Sequence, residues 1–195
     1  MGTIEVIAGC MFSGKSEELI RRLKRCMISR KKVLVFKHTI DERWNRSEEL
    51  VSRNGASLTA IRTHEPSYIL ARSEEMDIVG IDEAHFYDKS LIGVIEALRQ
   101  NSISVIITGL DMDFRGEPFG IVPQLMAIAD RVDKLDAVCM LCGERATQSQ
   151  RLVDGKPAQY GSEQLVVGDE EYQARCRKCH EVPGREQLRL IAEQY

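Results

Sequence analysis

The chain has 195 residues, 43% hydrophobic and 29% charged, the make-up of an ordinary globular protein and not of a disordered or membrane-embedded one. A net charge of −3 with a pI near 5.9 argues against a surface built for the nucleic-acid backbone, which needs a basic stripe. No apolar run approaches the ~20 residues that span a bilayer. The expectation is one main domain with a small appendage, in the cytosol, with neither membrane nor nucleic acid among its partners.

Met1-Gly2 has no basic region and leads straight into Thr3–Ala8, which reads as a buried strand ending in a glycine-containing turn. From Ser16 to about Ser29 the spacing is helical, with Leu19, Ile20, Leu23 and Met27 on one face. Val33–Phe36, Ile78–Ile81 and Ile103–Ile107 have the length and β-branched content of central parallel strands, and Leu91, Ile92, Ile95 and Leu98 place a helix between the last two. Strands alternating with helices predict a doubly wound α/β layer. Between about His38 and Glu75 the pattern weakens into loops and short elements. From Cys139 to about His180 glycines and Pro157 punctuate a small, loop-rich unit. The division predicted is a phosphate-binding α/β domain over residues 1–135, a second unit over 136–183 and a tail over 184–195.

Gly9-Cys10-Met11-Phe12-Ser13-Gly14-Lys15-Ser16 satisfies Gly-x-x-x-x-Gly-Lys-[Ser/Thr] between a strand and a helix, where that motif has to sit. The glycines let backbone N–H groups curl around phosphate oxygens. Lys15 reaches the β and γ phosphates of ATP, and Ser16 offers a hydroxyl to Mg²⁺. Asp77–Glu83 reads as an apolar strand ending in two carboxylates, in which Asp82 orients Mg²⁺ while Glu83 faces an acceptor and takes its proton.

Six cysteines without a secretory signal are metal ligands or buried thiols sooner than disulfides. Cys139-x-x-Cys142 and Cys176-x-x-Cys179 each chelate one edge of a tetrahedron, together a closed structural Zn²⁺ site. His180 is an alternative to Cys179 as the fourth ligand. Cys10 and Cys26 stand apart and read as small buried side chains.

Several stretches together resemble the type II, zinc-containing thymidine kinases: Met11–Ser16, Asp41-x-Arg43, Asp82-Glu83-Ala84-His85-Phe86, and Gly109-Leu110-Asp111-Met112-Asp113-Phe114-Arg115-Gly116-Glu117-Pro118-Phe119-Gly120. The cysteine pairs and Val167-Gly168 with Tyr172 extend the likeness over almost the whole chain. The resemblance implies transfer of the γ-phosphate of ATP to the 5′-hydroxyl of thymidine, with Glu83 as base and Gly9–Ser16 and Asp82–His85 around the nucleotide. It implies a nucleoside pocket of Met11, Phe86, Leu110, Phe114, Phe119 and Tyr172, with Val166, Val167 and Gly168 reading the base through backbone groups. It also implies a homotetramer inhibited by thymidine triphosphate. Arg43 either reaches a phosphate or pairs with Asp41. Against the family pattern, His85 replaces glutamine, Trp44 tyrosine, Arg53 histidine and Cys10 serine or proline, and the segment from Gly168 to Tyr172 is about one residue short.

Asp82-Glu83-Ala84-His85 is also the box that names a class of helicases, so the alternative is a nucleic-acid-dependent ATPase with a zinc module. Such motors need paired or ring-forming ATPase domains and a basic track, which one domain of net negative charge does not offer. A nucleotide-binding switch, the third reading, would lack an acid placed for an acceptor hydroxyl.

Overall fold

The computed structural model describes residues 1–40, 49–51, 55–164 and 172–185. Arg43, Trp44, Arg53, Val166, Val167 and Gly168, together with most of the tail, lie outside the described residues.

In the first strand, β1 (Ile4–Gly9), Ile4, Val6 and Ala8 enter one apolar cluster and Ile7 another. This is the two-residue alternation of a strand covered on both faces. Helix α1 (Lys15–Ile28) follows, then β2 (Val33–Lys37), a hairpin of β3 (Glu49–Val51) and β4 (Ser57–Thr59), the two-residue β5 (Ile61–Arg62), and α2 (Pro66–Arg72). β6 (Ile78–Asp82) leads through a 3₁₀ turn at Ala84–Phe86 to α3 (Ser90–Gln100), β7 (Ser104–Gly109), α4 (Val122–Ile128) and β8 (Arg131–Leu135). Strands β5-β2-β6-β7-β1-β8 form one six-stranded sheet, every pairing of it parallel.

One face of the sheet carries Leu91, Ile95 and Leu98 of α3 with Ile69 of α2 and Leu125 of α4; the other carries Leu19, Ile20 and Leu23 of α1. Each such fully buried leucine or isoleucine contributes about 1.5–3 kcal/mol of burial. A Cβ on Gly80 would stand 2.6 Å from Cδ1 of Leu23, so the glycine lets α1 lie directly on the sheet. Met27, expected on the buried face, is half exposed.

β8 has no apolar pattern; it pairs in parallel with β1, and ion pairs tie its side chains to the neighbouring elements. Arg22 of α1 reaches Glu5 of β1 and Asp133 of β8 at 2.7 Å each, and Glu18 at 2.8 Å. Hydrogen bonds from Arg21 and then Arg22 hold the Glu18 carboxyl down at about 2. The stretch from His38 to Glu75, read as loops and short elements, supplies the short β3/β4 hairpin, a two-residue edge strand and a helix.

Among the described residues, the region after Leu135 contains five short strands where a loop-rich unit was expected: β9 (Ala137–Val138) paired with β10 (Arg145–Ala146), and a sheet of β11 (Gln148–Val153), β12 (Lys156–Pro157) and β13 (Tyr172–Arg175) in the order β12-β11-β13. β11 does not alternate: its consecutive polar residues Gln148, Ser149, Gln150 and Arg151 are all buried. Such short runs carry little periodicity to read in advance.

Candidate active site

The turn after β1 is forced by its backbone. Gly9 (φ 149°) and Gly14 (φ 82°) occupy conformations open to glycine, and Phe12 is left-handed at φ 67°. A Cβ on Gly9 would lie 2.4 Å from the Leu135 carbonyl oxygen, so the loop enters through a gap that only glycine fits. Lys15, nearly buried, curls over the loop and donates from Nζ to the Cys10 carbonyl at 2.8 Å, and Ser13 Oγ donates to the same oxygen at 2.8 Å. Burial pushes the Cys10 thiol up, against the pull of nearby Lys15, so it remains a donor and faces the Ala146 carbonyl at 3.5 Å. The Met11 N–H donates to Ser149 Oγ of β11 at 3.0 Å.

β6 delivers the two acids to the same end of the sheet. Asp82, 1% exposed, receives the Ser16 hydroxyl at 3.2 and 3.3 Å to its two oxygens. These are the oxygens that a hard divalent cation would use, one hydroxyl and one carboxylate side by side, so the residues present fit Mg²⁺. The next residue turns sharply: Glu83 is left-handed (φ 53°, ψ 47°). Glu83 Oε2 lies 3.4 Å from His85 Nδ1, and that nitrogen accepts the Leu110 N–H at 3.2 Å.

The predicted nucleoside residues divide into two groups. Met11, Phe114 and Tyr172 share one buried cluster with Ala158, and Leu110 packs against it. Phe86 and Phe119 instead flank the His85 ring, at 4.2 and 5.2 Å between centroids. Ala84 is completely buried in the main core.

Two features of this neighbourhood had no signal in the sequence. Arg115 forks onto the Tyr160 carbonyl (Nε, 2.9 Å) and the Ser162 carbonyl (Nη2, 2.8 Å), while its guanidinium stands 5.1 Å from the Phe114 ring centroid and that of Arg151 stands 5.6 Å from it. Gln164 Nε2 donates to Asp113 at 3.0 Å, and the Tyr160 hydroxyl donates to Glu117 at 2.9 Å. Segment 160–164 is thereby tied to the turn carrying Phe114. The other feature is Thr108, buried between the acids.

At the far side of this segment the sulfurs of Cys139, Cys142, Cys176 and Cys179 all lie within 4.8 Å of one another, with Cys142 and Cys176 at 3.6 Å. Tetrahedral Zn–S bonds of about 2.3 Å require sulfurs roughly 3.8 Å apart, so the four fit the metal. Burial disfavours the Cys139 thiolate, but backbone N–H groups of Cys176, Cys142 and Leu141 outweigh it and hold the thiol down at about 6. His180 is turned elsewhere: its Nε2 meets the Phe114 carbonyl at 2.8 Å, which leaves Cys179 in the cluster.

A family model described as thymidine kinase matches residues 2–180. A thymidine kinase of Coprothermobacter proteolyticus is 50% identical over 185 residues, 94% of this chain and 93% of its own length. Among solved structures, the genome packaging NTPase B204 of Sulfolobus turreted icosahedral virus 2 matches 68% of this chain and 74% of its own. It does so at TM-score 0.44 and 13% identity in its complex with ATP-gammaS, and at 0.45 and 12% with sulfate; these are distant neighbours. With half of its residues shared along almost the full length of both chains, this chain belongs to the thymidine kinase family.

Proposed function

We propose that the chain transfers the γ-phosphoryl group of ATP to the 5′-hydroxyl of thymidine, giving ADP and thymidine monophosphate. The observation that carries this reading is the turn at Glu83. Asp82 faces Ser16 and the phosphate loop, and the left-handed backbone of the next residue swings a second carboxylate toward the aromatic side of the site. A carboxylate in that position serves an acceptor hydroxyl. A switch does not require it, and a motor would turn the same acid on water; the apolar cluster of Met11, Phe114 and Tyr172 beside the phosphate loop favours a nucleoside acceptor.

The loop N–H groups and Lys15 would stabilise charge spreading over the transferred phosphoryl oxygens, and Ser16 and Asp82 would hold Mg²⁺. Held there, the cation would supply positive charge that offsets the charge of the phosphates. Glu83 accepts the 5′-hydroxyl proton as that oxygen attacks phosphorus. Met11, Leu110, Phe114 and Tyr172 give the nucleoside an apolar wall, and Phe86 and Phe119 fix His85 beside the base. Arg43 is assigned to a phosphate, and Val166, Val167 and Gly168 to backbone contacts with thymine.

Residues 1–135 form the ATP-binding domain in this reading, 136–183 the zinc-bearing unit and 184–195 a tail. A cytosolic homotetramer serving nucleotide salvage for DNA synthesis, with thymidine triphosphate as feedback inhibitor, completes it. ATP consumption measured with thymidine, with single-stranded DNA and with neither separates the readings. Stimulation by thymidine alone supports the kinase, and stimulation by DNA alone sinks it.

The zinc site is structural, because four protein sulfurs leave no open position. Protein purified without chelators should contain about one Zn²⁺ per chain. Cys176→Ala should lose the metal and melt the β9–β13 region, since metal binding and folding are coupled. Elemental analysis finding no stoichiometric zinc in the parent protein would exclude the site.

A further inference from the structure

β7 lies between the strand that feeds the phosphate loop and the strand that ends in the acids, in the order β6-β7-β1. Its inner residues Val105, Ile106 and Ile107 are apolar and buried, as expected for a central strand. Thr108 breaks that run with a hydroxyl that has no exposure to solvent. Register explains where it goes. Ile81 is paired with Ile107, so the next step up the sheet puts Thr108 alongside Asp82.

The Thr108 hydroxyl donates to Asp82 Oδ1 and accepts the Glu83 N–H at 3.3 Å. These directions are fixed by chemistry, because an ionised carboxylate can only accept, a backbone N–H can only donate, and a hydroxyl has one proton to give. A single buried oxygen therefore holds the side chain of the first acid and the main chain of the second. The second contact falls at Glu83, whose left-handed backbone disfavours any residue with a Cβ and persists only where its surroundings impose it.

We infer that Thr108 is a positioning residue for phosphoryl transfer: its hydroxyl aims the Asp82 carboxylate at the cation side of the site and holds Glu83 in the turn that points it at the acceptor. The inference rests on the roles proposed above for Asp82 and Glu83. Buried partners of metal-facing and catalytic groups are typically worth 10–100-fold.

Thr108→Val keeps the shape and removes the hydroxyl, whereas Thr108→Ser keeps the hydroxyl and removes a methyl group. Thr108→Val should lower kcat by about 10–100-fold with the thymidine KM within about threefold of the parent, and Thr108→Ser should restore kcat to within about threefold. Calorimetric titration of ATP at graded Mg²⁺ gives a readout apart from activity. The Mg²⁺ concentration needed for half-maximal ATP binding should rise several-fold in Thr108→Val and return in Thr108→Ser. If the valine variant does not fold, as judged by circular dichroism and zinc content, Thr108→Ala against Thr108→Ser carries the same comparison. Parental kcat and parental Mg²⁺ dependence in the hydroxyl-free variant overturn the inference, as does a serine variant as impaired as the valine one. Failure of the parent protein to phosphorylate thymidine overturns the functional reading instead. The Mg²⁺-dependent ATP titration still tests Thr108 in that case.

Discussion

Glu83→Gln is expected to lower kcat by about 10² to 10⁴ at saturating substrates while ATP and thymidine affinities stay close to the parent. The substitution conserves shape, and glutamine meets the left-handed backbone at residue 83 no worse than glutamate does. What it removes is the capacity to take a proton. His85 cannot readily substitute, because its Nδ1 lone pair is engaged by the Leu110 N–H. Asp82 cannot either, because it is committed to Ser16 and Thr108 on the cation side. Single-turnover measurements with ATP prebound isolate the chemical step. A variant turning over at the parental rate there would remove Glu83 from the role of base and leave it a wall of the pocket.

Deoxycytidine is expected to be used about 10⁴-fold less efficiently than thymidine, with deoxyuridine close behind thymidine. The residues proposed to wall the pocket, Met11, Leu110, Phe114 and Tyr172, are apolar or aromatic and would offer either pyrimidine the same stacking surface. Discrimination must then come from polar groups that meet the pairing edge, assigned here to backbone groups at Val166, Val167 and Gly168. Thymine presents a donor at N3 and cytosine an acceptor, so a carbonyl set for one is left facing a lone pair by the other, a buried mismatch with a large cost. A methyl group is worth far less. The walls and the polar groups separate experimentally: Phe114→Leu should reduce efficiency with both nucleosides and change their ratio little. Deoxycytidine efficiency within about tenfold of thymidine would overturn the backbone-reading mechanism.

What could be read in the sequence follows from how local each signal is. The phosphate loop, the paired acids and the two cysteine pairs are each written within a few adjacent residues, and the structure assembles Ser16 with Asp82 and the four sulfurs with one another. The central strands were legible because burial on both faces demands unbroken apolar runs. β8 was not, because a half-exposed strand beside β1 is held by Arg22, whose partners Glu5 and Asp133 are far apart in the chain. Thr108 looked like an ordinary strand residue, since its meaning depends on a register set by pairing across the sheet. The Arg115 fork is equally invisible, because backbone carbonyls of Tyr160 and Ser162 have no sequence signature. His180, adjacent to a ligand and of a ligating type, was open as a fourth ligand on spacing alone. Its contact with Phe114 decides against it.

The stitch between Met11 and Ser149, reinforced by Cys10 and Ala146, has a consequence for recombination among relatives. A chimera joined near residue 135 would take the phosphate loop from one parent and its hydrogen-bonding partner on β11 from another. Two otherwise compatible halves would then meet with a loop amide facing a side chain selected in a different background. The Cys10 thiol faces that same seam. Exchange of the zinc-bearing region therefore has to keep a hydrogen-bond acceptor at residue 149 for the loop amide, although the two partners lie 138 positions apart in the chain.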